Sequence, residues 1–151
     1  MIEAKLKEYG YEFKESPKPL ANYIPAIQIN NLLLTSGQVP LVDGEIKFKG
    51  KVGKDLTEAE GIKAAEICAF NCLSAIRNLV GDVNKIERIV KLTVFVNSAD
   101  DFTNQPKVAN GASDFIVNLF GENGKHTRSA VGVNGLPLNA AVEIEMIAKL
   151  K

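Results

Sequence analysis

The chain has no tryptophan, a single histidine and only two cysteines in 151 residues, and it has no net charge, because Lys plus Arg and Asp plus Glu both number 18. Each shortage excludes something. Balanced charge leaves no basic excess to hold a nucleic-acid backbone, and there is no acidic tail. His126 with Cys68 and Cys72 falls short of the ligands a structural metal site needs, so no metal is expected. The two cysteines lie four apart within a helical pattern, where free thiols pack as small hydrophobes, so no disulfide framework is expected either. No apolar run is long enough to span a membrane. The opening MIEAKLKEYGYEF mixes charges where a signal peptide would carry an apolar core, which points to the cytoplasm.

What the chain does have is 46% hydrophobic residues, enough at this length for one domain, residues 1–151, with one core. Residues 2–9 pattern as a short accessory helix closed by Gly10. A weak strand at Tyr11 to Lys14 is expected next, followed by an extended connector at Ser16-Pro17-Lys18-Pro19. Strands follow at Ala26 to Ile29 and Leu32 to Thr35, joined by Asn30-Asn31. Thr35-Ser36-Gly37-Gln38 is either a plain strand end with a glycine-permitted bend or a place where amides and a hydroxyl meet a ligand. Asp43-Gly44 marks a turn before a short strand at Glu45 to Lys49. Gly50, Lys51, Gly53 and Lys54 lack the order of a phosphate loop.

Thr57-Glu58-Ala59-Glu60 is a capping box, and apolar residues then recur at helical spacing until Gly81. Gly61 in this helix suggests a close approach by a neighbouring element. Ile86 to Asn97 is the strongest strand pattern in the chain. Asp100-Asp101 reads as a helix start, with a second helix reaching Phe120, its body beginning near Lys107 behind Pro106. Val108, Phe115, Ile116 and Leu119 would face a sheet. The order implies a two-layer α+β sandwich, with an outer sheet face bearing Phe95, Ala130, Gly132 and Ile147 that suits burial against other copies.

Thr127 to Ala148 carries charges that plain strands do not need. Arg128, Ala130, Gly132 and Asn134 share one face of the first segment. In the second, Val142, Ile144, Met146 and Ala148 form the apolar face and leave Glu143 and Glu145 on the other. Glu145 reads as a solvated outer residue, and Glu143, following a small-residue run, is the candidate for chemistry. His126 is either a proton donor near Arg128 or a polar loop residue.

These segments, LLTSGQVP at 33–40, TVFV with Asp101-Phe102 after it, and RSAV through LP to VEIE, resemble the RidA/YjgF family of reactive-intermediate deaminases, which also carries the older label endoribonuclease L-PSP. The likeness covers residues 20–149. It implies a chorismate mutase-like fold of the bacillary type, a six-stranded mixed sheet packed by two helices and assembled as a homotrimer with sites between subunits. It implies hydrolysis of 2-imino or enamine acids such as 2-aminoacrylate to 2-keto acids and ammonia, as in a 2-iminobutanoate/2-iminopropanoate deaminase, without a cofactor. Arg128 matches the arginine that clamps the substrate carboxylate, a task for a planar bidentate guanidinium. Glu143 matches the acid that positions the attacking water. Ala130 matches a position that offers its backbone amide. Tyr23, Ser36 and Gly37 match pocket walls, and Asn110 matches a pocket asparagine. Ser113 stands where the family often has an aromatic residue.

Were the last two strands a simple hairpin about Pro137, Glu143 would lie opposite Gly132, roughly 13 Å along the strand from Arg128 at ~3.3 Å per residue. A shared site therefore needs another strand order or a second subunit. Two other functions compete: a regulatory module that binds a small carboxylate in the same cleft without turnover, and the ribonuclease suggested only by the old label, against which the charge balance, the single histidine and the lack of a basic-aromatic stripe argue.

Overall fold

The computed structural model describes residues 1–15 and 21–151, so the connector expected at Ser16-Pro17-Lys18-Pro19 lies outside the described residues. Its elements are helix α1 (Ile2–Glu8), strands β1 (Ala26–Ile29), β2 (Leu32–Thr35), β3 (Leu41–Val42) and β4 (Glu45–Ile46), helix α2 (Glu58–Val80), strand β5 (Ile86–Asn97), helix α3 (Gln105–Phe120), and strands β6 (Thr127–Val133) and β7 (Val142–Leu150). Five strands form one mixed sheet in the order β1-β2-β7-β5-β6. Among these strands only β5 and β6 run parallel, and α3 is the crossover that this pairing requires.

The sheet has five strands where six were expected, because β3 and β4 pair only with each other among the described residues. Asp43 and Gly44 both have positive φ and close them into a tight hairpin. Phe48, also at positive φ, ends the extended run and turns toward the core, so the strand expected to Lys49 stops at Ile46. The strand expected at Tyr11 to Lys14 is absent for a different reason. Tyr11 stacks on Phe70 of α2 with ring centroids 4.5 Å apart, and Phe13 stacks on the same ring at 5.4 Å, so their alternation is satisfied by aromatic contact with a helix.

The capping box of α2 forms as read, with the Glu60 amide donating to Thr57 Oγ1 at 3.2 Å and the Thr57 amide to Glu60 Oε1 at 3.1 Å. Gly81 closes the helix in the left-handed region. Helix α3 begins two residues before Lys107, at Gln105 with Asn104 as its cap and Pro106 in its first turn; Asp100-Asp101 belongs to a preceding turn. Val108, Phe115, Ile116 and Leu119 are buried. Both helices lie on the sheet face that carries Leu92, Val94, Val96, Val142, Ile144 and Met146. Cys68 and Cys72 sit in this core, donating to the Val142 and Ile144 carbonyls, and burial pushes the Cys72 thiol up to about 12, which leaves it protonated and unreactive. Helix α1 joins the same core through Leu6, and Lys5 Nζ donates to the Leu119 carbonyl at the end of α3 at 3.1 Å. Among the described residues no helix is long and apolar enough to cross a membrane.

The helices touch most closely at Gly111, where a Cβ would run into the backbone carbonyl of Ile62. Gly61 sits under Val52 and Val108, so the close approach anticipated there is by side chains. Gly111→Ala is expected to lower unfolding stability in urea by at least the ~1–3 kcal/mol typical of overpacking, because backbone must yield. Gly135→Ala, with nothing within 4 Å, serves as its control and is expected to stay within roughly 0.5 kcal/mol of wild type.

Candidate functional site

Strand β6 is an edge strand held to β5 in a register that sets Arg128 opposite Leu92, Ala130 opposite Val94 and Gly132 opposite Val96. Paired residues share a face, and this is the helix face. Ala130 and Gly132 are therefore on the inner side of the sheet, correcting the outward placement expected from the sequence. Ala130 packs against the core, and a Cβ on Gly132 would meet Ser98 Oγ and Gln105 Nε2. Phe95 and Ile147 do take the outer face, half-buried.

Arg128 emerges under α3 and meets two side chains one helical turn apart. Its Nη1 donates to Asn110 Oδ1 at 2.8 Å and to Ser113 Oγ at 3.1 Å. Ser113 Oγ lies 2.9 Å from His126 Nε2, and His126 Nδ1 lies 2.6 Å from the Gly124 carbonyl. Burial lowers the His126 pKa, the bond to Gly124 opposes this, and the Arg128 cation adds to the lowering. The i, i+3 spacing of Asn110 and Ser113 is the sign in the sequence that both can reach one partner; from the family resemblance alone, Ser113 is only a departure from an aromatic pattern.

Glu143 belongs to a different place. On β7 it pairs with Phe95 of β5, three residues from Leu92, so it projects from the face opposite the helices. Gln38 bridges to Ile144 and lays Gly37 alongside Glu143, where a Cβ would collide with Glu143 Oε1. The Ser36 hydroxyl donates to the Ile24 carbonyl at 2.7 Å, its amide to the Pro25 carbonyl at 2.8 Å and the Gln38 amide to the Ile144 carbonyl at 2.8 Å, while the Gly37 amide between them has no partner among the described residues. Tyr23 adjoins Ile24 and is 59% exposed. No described residue hydrogen-bonds or ion-pairs with the Glu143 carboxylate; burial raises its pKa first, and the neighbouring Glu145 charge adds to the rise.

The predicted residues thus fall into two groups: Arg128, Asn110 and Ala130 beneath α3, and Glu143, Gly37 and Ser36 on the open face with Tyr23 beside them. Two strand spacings, about 10 Å, and three residues along the sheet, about 10 Å more, separate Arg128 from Glu143, on opposite faces. A small substrate cannot touch both in one chain. The strand order is not the hairpin considered above, since β5 lies between β6 and β7. The open face exposes apolar side chains toward both ends of the strand order: Ile27, Ile29 and Leu32 on β1 and β2 and Val131 on β6 are between 39% and 54% exposed. A shallow depression there, lined by Lys91, Thr93 and Glu145 among others, involves neither Arg128 nor Glu143. Among the described residues no group of three His, Cys, Asp or Glu could hold a metal ion.

A family model described as "YjgF/chorismate_mutase-like, putative endoribonuclease" matches residues 3–150. Protein TCP17 of Trypanosoma cruzi is 41% identical over 150 residues, 99% of this chain and 94% of its own length. The crystal structure of protein Atu1372 from Agrobacterium tumefaciens, a protein with unknown function, aligns with a TM-score of 0.92 at 44% identity, covering 99% of this chain and 93% of that one. A 2-iminobutanoate/2-iminopropanoate deaminase of Dermatophagoides farinae is 28% identical over 137 residues, 90% of this chain and 91% of its own.

The raised Glu143 pKa has a definite sign in stability. Folding favours the protonated acid, so the contribution is present below the unfolded value near 4.5 and is lost as pH rises through the folded-state pKa. Glu143→Gln is expected to remove that loss, and its stability gain over wild type in denaturant unfolding should be larger at pH 7 than at pH 4.

Proposed function

Because the chain belongs to the YjgF/RidA family, we propose that it hydrolyses small 2-imino acids to 2-keto acids and ammonia at a site completed by two copies of the chain. The observation that carries this reading is the division of the site: an arginine presented under α3 at one sheet edge, and an unpaired carboxylate beside a bare glycine amide on the opposite face. The exposed apolar side chains of the open face supply a reason for copies to associate, and a homotrimer closes such heterologous contacts into a ring.

In this reading Arg128 binds the substrate carboxylate, and the Ala130 and Gly37 amides, with Ser36 and Tyr23, shape the pocket around the imine. Glu143 accepts a proton from water as the water oxygen bonds to the iminium carbon, giving a carbinolamine. The same carboxyl then protonates the amine. The C–N bond breaks as the carbonyl forms, and the hydroxyl proton leaves with the ammonia as ammonium. A carboxyl with a raised pKa is suited to both transfers, because its affinity for a proton lies closer to neutral pH. The chemistry is complete without a metal or cofactor.

When an amino-acid oxidase generates the imine in situ, the purified protein is expected to accelerate keto-acid release, and Glu143→Gln to reduce that acceleration by about 10²–10⁴-fold. Arg128→Ala should abolish it; wild-type rates in that variant would remove the proposed clamp. Pyruvate binding with no turnover of any imine would select the regulatory-module reading instead.

Division between copies has its own test. Arg128→Ala and Glu143→Gln chains, unfolded and refolded together in equal amounts, should regain activity at about a quarter of their interfaces if association is random. Persistent inactivity of the mixture, with both chains folded and assembled, would mean that one chain supplies both residues.

A further inference from the structure

We propose that Ser113 and His126 are positioning residues that hold Arg128 by its Nη1 alone and so leave the Nε–Nη2 edge as the face on which a carboxylate docks. This deepens the reading of Arg128 as a carboxylate clamp and rests on it. A guanidinium can meet a carboxylate end-on through Nη1 and Nη2, or side-on through Nε and Nη2. Nη1 carries two N–H groups and has two acceptors, Asn110 Oδ1 at 2.8 Å and Ser113 Oγ at 3.1 Å. The end-on fork is thereby closed. Among the described residues no partner occupies Nε or Nη2.

The hydrogens of the chain behind Arg128 can be assigned in one way. The Gly124 carbonyl only accepts, so His126 Nδ1, 2.6 Å away, must carry a hydrogen. Burial and the Arg128 charge keep the ring neutral, which makes Nε2 a lone pair. Ser113 then gives its single hydrogen to Nε2 at 2.9 Å and turns an oxygen lone pair to Arg128. The series of donors runs from Arg128 to Ser113 to His126 to the Gly124 carbonyl. Its far end is fixed, because Gly124 lies so close to α3 that a Cβ would be 2.6 Å from the Ile116 carbonyl oxygen. All of these groups belong to one chain. The guanidinium is therefore oriented before a ligand or a second copy arrives, which lowers the ordering cost of binding.

Three measurements on the protein test this. In ligand-free ¹⁵N NMR, His126 should show a protonated Nδ1 and an unprotonated Nε2, and the Arg128 Nη1 hydrogens should be resolved by slow rotation, a signature lost in Ser113→Ala and retained in Ser113→Thr. In calorimetry with pyruvate as the probe, Ser113→Ala and His126→Phe should each weaken binding about tenfold, the scale of a hydrogen bond to a charged group, and Ser113→Thr should recover most of it. A crystal with pyruvate should place its carboxylate on Nε and Nη2. Free rotation of Arg128 in the wild type, or an end-on carboxylate, would overturn the proposal. If Arg128→Ala abolishes pyruvate binding while Ser113→Ala does not alter it, the relay fails and the clamp stands. If Arg128→Ala leaves binding unchanged, or wild type does not bind pyruvate, the clamp fails and the NMR signature alone decides the relay.

Discussion

Strand β5 lies between two strands that run in opposite senses, parallel to β6 and antiparallel to β7, and the rest of the molecule is arranged around those two registers. Its inner face, Leu92, Val94 and Val96, is fully buried, at roughly 1.5–3 kcal/mol for each large apolar side chain removed from water. A one-residue slip would turn that row outward, so burial specifies register strongly. Parallel pairing with β6 cannot be made by a tight turn, so α3 must cross over, and the crossover brings Asn110 and Ser113 above Arg128. Antiparallel pairing with β7 sets Glu143 against Phe95 and sends its carboxylate to the outer side. One central strand thus separates the two charged groups that the proposed chemistry combines.

Periodicity within a segment was legible in the sequence, and relations between segments were less so. The alternation of Val142, Ile144, Met146 and Ala148 and the shared face of Arg128 with Ala130 and Gly132 follow from a two-residue repeat, and both are present. Which side of the sheet the second set takes depends on the partner strand. That partner is β5, remote in sequence, and so Ala130 and Gly132 lie inward where outward positions were expected. Tyr11 and Phe13 have the spacing of a strand, but the ring of Phe70 satisfies them without a backbone partner. The capping box of α2 was readable because all its hydrogen bonds are local. The start of α3 was less so, since acidic residues at 100–101 and Asn104 with Pro106 offer competing starts four residues apart.

The separation also decides electrostatics. A cation beside Glu143 would lower its pKa, yet within one chain Arg128 is directed to the helix side, and what Glu143 meets is burial and the like charge of Glu145. In the proposed assembly the arginine arrives from another copy with its charge offset by the substrate carboxylate. The acid can then keep the proton affinity that water activation and amine protonation both need. On the arginine side, neutral His126 adds no second cation, so the attraction for a carboxylate comes from Arg128 and its orientation from hydrogen bonds.

In the proposed function the same division ties association to chemistry. On the open face Ile27, Ile29 and Leu32 form an exposed apolar patch on β1 and β2, with Val131 exposed at the β6 edge, and covering them is the driving force available to a second copy. Glu143 and Gly37 sit on that face, while Arg128 sits at the β6 edge beneath α3. In the proposed assembly, a neighbour that covers this face with its β6 edge delivers an oriented guanidinium to an unpaired carboxylate in the same step. An isolated chain, however well folded, holds Arg128 and Glu143 about 14 Å apart on opposite sides of one sheet, so the proposed site needs a second copy.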